Sequence, residues 1–172
     1  FGPSSLESED NLRRLDRLLA ELFVFVDERE GLDQTLIVLS ADHGGPEIPP
    51  YLQEMGIPSG YVDPSSWDRA PGIAALEARF GVGEALIACY DHPYLYLDRD
   101  LIRERGLDQG EVEAAVAEEL SKLPGVAVAV SSTALREGRA PELPLIQSIR
   151  YNFNPRRSGD VYVVYEPGHF IA

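Results

Sequence analysis

The chain has 172 residues, 44% of them hydrophobic, and a formal net charge of −14 from 29 acidic and 15 basic side chains. This length and hydrophobic content can support one domain with its own core, or part of a core with an attached subdomain. The strong negative charge argues against binding nucleic acid through its phosphates, because that affinity comes mainly from lysine and arginine. No stretch approaches the run of about 18 apolar residues that a membrane span requires.

The first predicted element is an amphipathic helix. Its apolar residues recur at steps of three and four, which is typical of a helix that packs one face on a sheet; they are Leu12, Leu15, Leu19, Leu22 and Val26. Ser8 is the expected N-cap and Gly31 the expected stop. Residues 36–39 are all aliphatic and predict a strand buried on both faces, as inside a parallel sheet.

Two residues of the kind that bind metals, Asp42 and His43, follow this predicted strand directly. Neighbouring side chains of a regular strand point to opposite faces, so both can reach one ion only where the chain turns. Gly44, Gly45 and Pro46 supply such a turn. Because ligands of open α/β sheets bind beyond the carboxyl ends of the strands, we expect chemistry at this pair.

Proline residues break the segment from 44 to 84 into short helices and turns, with one clear helix predicted over 70–80. Tyr51, Tyr61 and Trp67 could pack over a substrate, although covering the sheet is the favoured interpretation. The remainder alternates strands and helices and predicts a compact α+β subdomain. Its predicted strands are 85–90, 94–97, 126–130 and 161–165, and its predicted helices are 99–105, 111–120 and 143–153.

These features together resemble the alkaline phosphatase superfamily, of the type I phosphodiesterase/nucleotide pyrophosphatase kind, and most closely the bacterial phosphate-irrepressible alkaline phosphatases. The resemblance rests on Phe1-Gly2-Pro3 with Ser5, on the helix and strand that follow, and on Ala41-Asp42-His43-Gly44. Further stretches support it: 56–60 (GIPSG), 94–97 (YLYL), 123–126 (LPGV) and 158–161 (SGDV).

The resemblance implies an α/β fold: part of an alkaline-phosphatase-like sandwich with a central, mainly parallel sheet and an inserted α+β subdomain. Residues 1–84 would belong to the core, 85–166 to the accessory subdomain, and 167–172 would return toward the core. Asp42 and His43 would bind one zinc of a two-zinc site. The chain would be an internal or C-terminal fragment without a catalytic nucleophile, since the Thr or Ser nucleophile and the other ligands are expected outside residues 1–172.

The implied function of the parent protein is hydrolysis of small phosphate monoesters, or of diesters, through a Thr or Ser phosphoenzyme. The fragment itself would be inactive, and by family analogy the parent would be periplasmic or extracellular. Two alternatives stay open: a non-catalytic interaction or specificity module, and a sulfatase-type member of the same superfamily. Neither the metal nor the oligomeric state follows from the sequence.

Three further candidates have simpler explanations. His92 lies in a turn before Pro93, and we expect a turn residue rather than a ligand. His169 could bind metal, but the third histidine implied by the resemblance belongs to a later motif. Arg156 and Arg157 could clamp a phosphate, although a surface turn at Ser158-Gly159 is the better explanation.

Overall fold

The computed structural model describes residues 2–83 and 86–172. The chain divides into two compact units, Phe1–Ser59 and Gly60–Ala172. The predicted domain boundary between residues 84 and 85, and the predicted start of a strand at residue 85, lie outside the described residues. Residues 60–83 belong to the same unit as the α+β elements that follow them.

The first unit begins with helix α1 (Leu6–Arg29), followed by a short 3-10 helix (Leu32–Gln34) and helix α2 (Pro49–Glu54). The N-cap of α1 is Ser5, whose hydroxyl oxygen accepts a hydrogen bond from the backbone N–H of Ser8 at 3.1 Å. The prediction of Ser8 as the cap was therefore wrong by one turn. The helix ends two residues before Gly31, the predicted stop.

The predicted buried strand at residues 36–39 was wrong for this chain. No strand is assigned there, and Leu36, Val38 and Leu39 are 88%, 77% and 81% exposed. A strand exists only through hydrogen bonds to a neighbouring strand, and the described residues of this unit contain none. The apolar face of α1 is likewise uncovered, since none of the residues of this helix is buried.

The strands of the second unit are β1 (Gly60–Val62), β2 (Ile87–Asp91), β3 (Tyr94–Leu97), β4 (Val126–Ser131), β5 (Val161–Tyr165) and β6 (His169–Ile171). Four of them form an antiparallel sheet in the order β2-β3-β5-β4. The helices of this unit are α3 (Pro71–Phe80), α4 (Arg99–Glu104), α5 (Gln109–Leu120), α6 (Ser132–Arg136) and α7 (Pro144–Asn152), with a 3-10 helix at Pro64–Arg69.

Local sequence signals explain most of these elements. Asp98 and Asp108 cap α4 and α5, each accepting a backbone N–H three residues on at 2.8 Å. Gly81 ends α3 in the left-handed conformation, which glycine adopts at low cost. The predicted strands at 94–97, 126–130 and 161–165 and the four predicted helices are confirmed to within two residues at each end.

The sheet separates two hydrophobic cores because side chains alternate across each strand. Val161 and Val163 of β5 point to a core shared with α3 and α5, while Tyr162 and Val164 pack against a second cluster with α7. Helices therefore cover both faces of this sheet. No helix in the described part of the chain is long and apolar enough to cross a membrane.

A separate parallel pair joins β1 to β6, with Gly60 opposite His169. The segment 167–172, predicted to return toward the core, thus closes against the start of the second unit. Gly125 lies beside this pair with a φ of 80°, and a Cβ there would come within 2.6 Å of Val62 and 2.9 Å of His169. Only glycine meets both requirements at that position.

Candidate metal centre

Asp42 and His43 lie together at a bend that follows residues 35–41, which form neither a helix nor a strand. The Nε2 atom of His43 is 3.4 Å from the Oδ2 atom of Asp42, and both side chains are more than four-fifths exposed. The two groups therefore face the same point rather than opposite sides, as the turn through Gly44 and Gly45 predicted. Both are open to solvent within this unit.

Hydrogen bonds determine which atom of each side chain is available to bind a metal ion. The Nδ1 atom of His43 lies 2.9 Å from the carbonyl oxygen of Gly44. A carbonyl can only accept, so Nδ1 carries the hydrogen, and in the neutral imidazole Nε2 keeps its lone pair. The Oδ1 atom of Asp42 accepts the backbone N–H of His43 at 3.0 Å, which leaves Oδ2 free. Two lone-pair atoms then face each other, an arrangement that a cation between them stabilises.

The donor pair fits zinc. Tetrahedral zinc with bonds of about 2.0–2.2 Å to nitrogen and oxygen separates neighbouring ligand atoms by about 3.3 Å, close to the observed 3.4 Å. The Nδ1–H bond to a backbone carbonyl is also the contact that a metal-binding histidine commonly makes. A zinc site needs at least three protein ligands, and the described residues contain no group of three candidate ligands. Residues 2–83 and 86–172 thus hold at most part of a site.

His92 takes part in a network of aromatic side chains. The hydroxyl of Tyr165 donates to the hydroxyl of Tyr90 at 2.9 Å, and the Tyr90 hydroxyl is hydrogen-bonded to Nδ1 of His92 at 2.8 Å. The His92 ring stacks on Tyr165 with centroids 5.7 Å apart. Partial burial lowers the pKa of His92, and the nearby charge of Asp91 opposes that shift. His92 is nevertheless exposed and lies in the turn between β2 and β3, so the prediction of a turn residue is confirmed.

The depressed pKa of His92 predicts a pH effect on stability. Folding favours the neutral ring, so the unfolded chain binds more protons once the pH falls below its ordinary pKa of about 6.5. The stabilisation is present above that pH and is lost on acidification. We expect His92→Gln, which keeps an acceptor for Tyr90 but does not titrate, to lose less stability between pH 7 and pH 5 in urea unfolding than the unmodified chain. Equal losses in the two proteins would contradict the prediction.

His169 is largely buried, with 18% of its side chain exposed. Its ring lies against Gly60 and Gly125, and its Nδ1 atom is 3.4 Å from the carbonyl oxygen of Pro167. The nearest carboxylate is that of Glu166, at 4.0 Å. The structure thus gives His169 a packing role at the parallel β1–β6 pair.

Of the remaining residues that the sequence offered as substrate or phosphate contacts, some lie on the surface and one lies in the core. Arg156 and Arg157 lie on a turn in which Asn154 accepts both of their backbone N–H groups, one through its side chain and one through its carbonyl oxygen. Trp67 is 3% exposed and packs edge-to-face on Tyr90 at 5.0 Å, so it belongs to the core. Tyr51 and Tyr61 remain substantially exposed.

A buried polar network in the second unit was not predicted. The Asp160 side chain is 1% exposed. Its Oδ2 atom accepts the N–H of Leu97 at 2.8 Å, and its Oδ1 atom accepts from Arg99 Nε and Gln109 Nε2, each at 2.9 Å. This contact raises the pKa of Arg99. The Gln109 amide also donates to buried Glu113 at 3.0 Å, so two carboxylates share one donor.

The family of the chain follows from a match over its whole length. The family model for type I phosphodiesterase / nucleotide pyrophosphatase covers residues 1–172, and the chain belongs to this family. The resemblance to the alkaline phosphatase superfamily is therefore confirmed.

Two characterised relatives are similar over nearly all of the chain. It is 31% identical over 172 residues to alkaline phosphatase PafA of Elizabethkingia meningoseptica, and 28% identical over 170 residues to alkaline phosphatase PhoV of Synechococcus elongatus. It covers only 31% and 30% of those proteins. The crystal structure of wild-type PafA superposes with a TM-score of 0.83 and 32% identity over 99% of this chain and 32% of PafA. This superposition confirms the predicted α/β fold.

Proposed function

We propose that the parent protein is a metal-dependent phosphatase and that this chain supplies two ligands, Asp42 and His43, to one zinc of a two-zinc site. The observation that carries the proposal is the pair of facing donor atoms, 3.4 Å apart and each oriented by its own hydrogen bond. Family membership supports the proposal, because relatives that are 31% and 28% identical to this chain are named alkaline phosphatases.

The roles of the two side chains follow from their hydrogen bonds. His43 offers the Nε2 lone pair, and the Gly44 carbonyl holds the ring in that tautomer. Asp42 offers a negative oxygen, and the His43 N–H fixes the direction of its carboxylate. A zinc ion held there would supply positive charge that stabilises a phosphoryl oxygen. The nucleophilic Thr or Ser, which would form a phosphoenzyme, belongs to the remainder of the parent protein.

The chain spans about 31% of the length of its relative PafA, and its two donors are fewer than zinc requires. We therefore expect the isolated chain to lack phosphatase activity. The second unit has two cores of its own, and we assign it an accessory role in selecting the ester. The substrate class is a small phosphate monoester, with diesters as the second choice, and the location is periplasmic or extracellular.

A non-catalytic module remains the second candidate, because the second unit carries complete cores of its own. The two candidates differ in the role of Asp42 and His43. A phosphatase would need both residues to bind metal, and a non-catalytic module would need neither. The sulfatase alternative is less well supported, since the whole chain matches the phosphodiesterase family.

The test uses the full-length parent and the 172-residue chain side by side. We expect the parent to hydrolyse an aryl phosphate, to lose that activity on chelation of its metal, and to recover it with added zinc. The isolated chain should show no turnover under the same conditions. Enzyme-like turnover by the isolated chain, or a parent whose activity survives complete metal removal, would refute the proposal.

A further inference from the structure

Glu47 fastens the loop that carries Asp42 and His43 to the start of helix α1. Its Oε1 atom accepts hydrogen bonds from the backbone N–H of Ser4 at 3.0 Å and from the Ser4 hydroxyl at 2.5 Å. These partners are 43 positions apart in the sequence. Ser4 directly precedes Ser5, the N-cap of α1, so the carboxylate joins the end of the loop to the entry of the longest helix.

The opposite side of the same carboxylate is closely fitted to Gly2. A Cβ atom on Gly2 would lie 2.3 Å from Oε2 of Glu47, and Gly2 itself is buried. The ring of Pro3 lies 3.8 Å from the position of a Cβ on Gly45. The Gly-Pro-Ser turn and the Asp-His loop are therefore packed on each other, with the Glu47 side chain between them.

The remaining contacts of Asp42 and His43 are local. Their hydrogen bonds reach only the next residue, and their side chains are 87% and 81% exposed, so no packing holds them. Two glycines, Gly44 and Gly45, separate the pair from Pro46 and Glu47 and give the loop conformational freedom. Among the described residues, the bond from Glu47 to Ser4 is thus the long-range hydrogen bond nearest to the pair.

We propose that Glu47 is a positioning residue for the metal pair: it anchors the loop and so holds the Asp42 and His43 donors in the geometry that binds a cation. This inference rests on the proposed metal site. An ionised carboxylate makes stronger hydrogen bonds than a neutral acceptor. Groups hydrogen-bonded to the metal ligands themselves commonly change metal affinity by about 10- to 100-fold. Glu47 acts one step further out, through Ser4, so we expect an effect at the lower end of that range. Glu47 itself does not need to touch the ion.

The experiment measures zinc affinity of the full-length parent by competition with a chromogenic chelator, together with the thermal melting of the metal-free protein. We expect Glu47→Ala to weaken zinc binding about tenfold. Glu47→Gln, which keeps an acceptor for Ser4, should fall between Ala and the unmodified protein. Glu54→Ala is the matched control, because it removes an exposed carboxylate of the same unit. It should leave zinc affinity unchanged.

Unchanged zinc affinity in Glu47→Ala would overturn the inference. If Asp42→Ala weakens zinc binding in the same series, the metal site stands and only the role of Glu47 fails. If Asp42→Ala also binds zinc normally, the proposed site fails together with it. An equal loss in the Gln and Ala variants with lowered melting temperatures in both would show a structural role alone, and would also overturn it.

Discussion

Replacing Asp42 or His43 by Ala in the full-length parent is expected to reduce kcat/KM for an aryl phosphate by about 100-fold or more. In the proposed site, each substitution would remove one metal ligand. Stabilisation of transition-state charge by a metal is worth several kcal/mol, and each 1.36 kcal/mol corresponds to about a tenfold change in rate. Bound zinc per protein should fall in the same variants.

The control for this pair is Asp33→Ala, which removes another exposed carboxylate of the first unit. Its zinc content and kcat/KM should match the unmodified protein. The non-catalytic alternative predicts instead that Asp42→Ala and His43→Ala leave metal content unchanged. The measurement therefore decides between the two functions as well as testing the two residues.

The sequence predicted well those elements that depend on local signals. The periodicity of residues 111–120 predicted α5, and the structure adds a cap at Asp108 within the same short segment. The turn at Gly44 and Gly45 likewise let us expect Asp42 and His43 on one side, although they are neighbours. In each case the physical cause is contained in a few consecutive residues.

Elements that depend on distant partners were wrong or missed. Residues 36–39 carry the composition of a buried strand, but a strand needs neighbours that these residues do not supply. The β1–β6 pair was missed because it joins two three-residue segments from opposite ends of the second unit. The bond from Glu47 to Ser4 and the network around Asp160 link positions 43 and more than 50 residues apart, so no local pattern reveals them.

Asp160→Ala is expected to destabilise the 172-residue chain by about 2–4 kcal/mol, since each buried group left without a partner costs about 1–3 kcal/mol. The buried N–H of Leu97 would lose its acceptor, and the amide of Gln109 would lose one of its two carboxylate acceptors and keep Glu113. Loss of the contact with Arg99 adds less to the destabilisation, because 55% of the Arg99 side chain is exposed and water can replace that contact. Urea unfolding at pH 7 measures the change.

The matched control for this network is Asp100→Ala, which removes a carboxylate that is 79% exposed and paired only with Arg103 on the same helix. Such surface pairs contribute about 0.5 kcal/mol or less. Asp160→Asn should fall between the two variants, because one amide oxygen can still accept from Leu97 while the amide N–H₂ group then faces Arg99 or Gln109. If Asp160→Ala proved as stable as Asp100→Ala, the network would contribute nothing to folding, and the buried carboxylate would need another explanation.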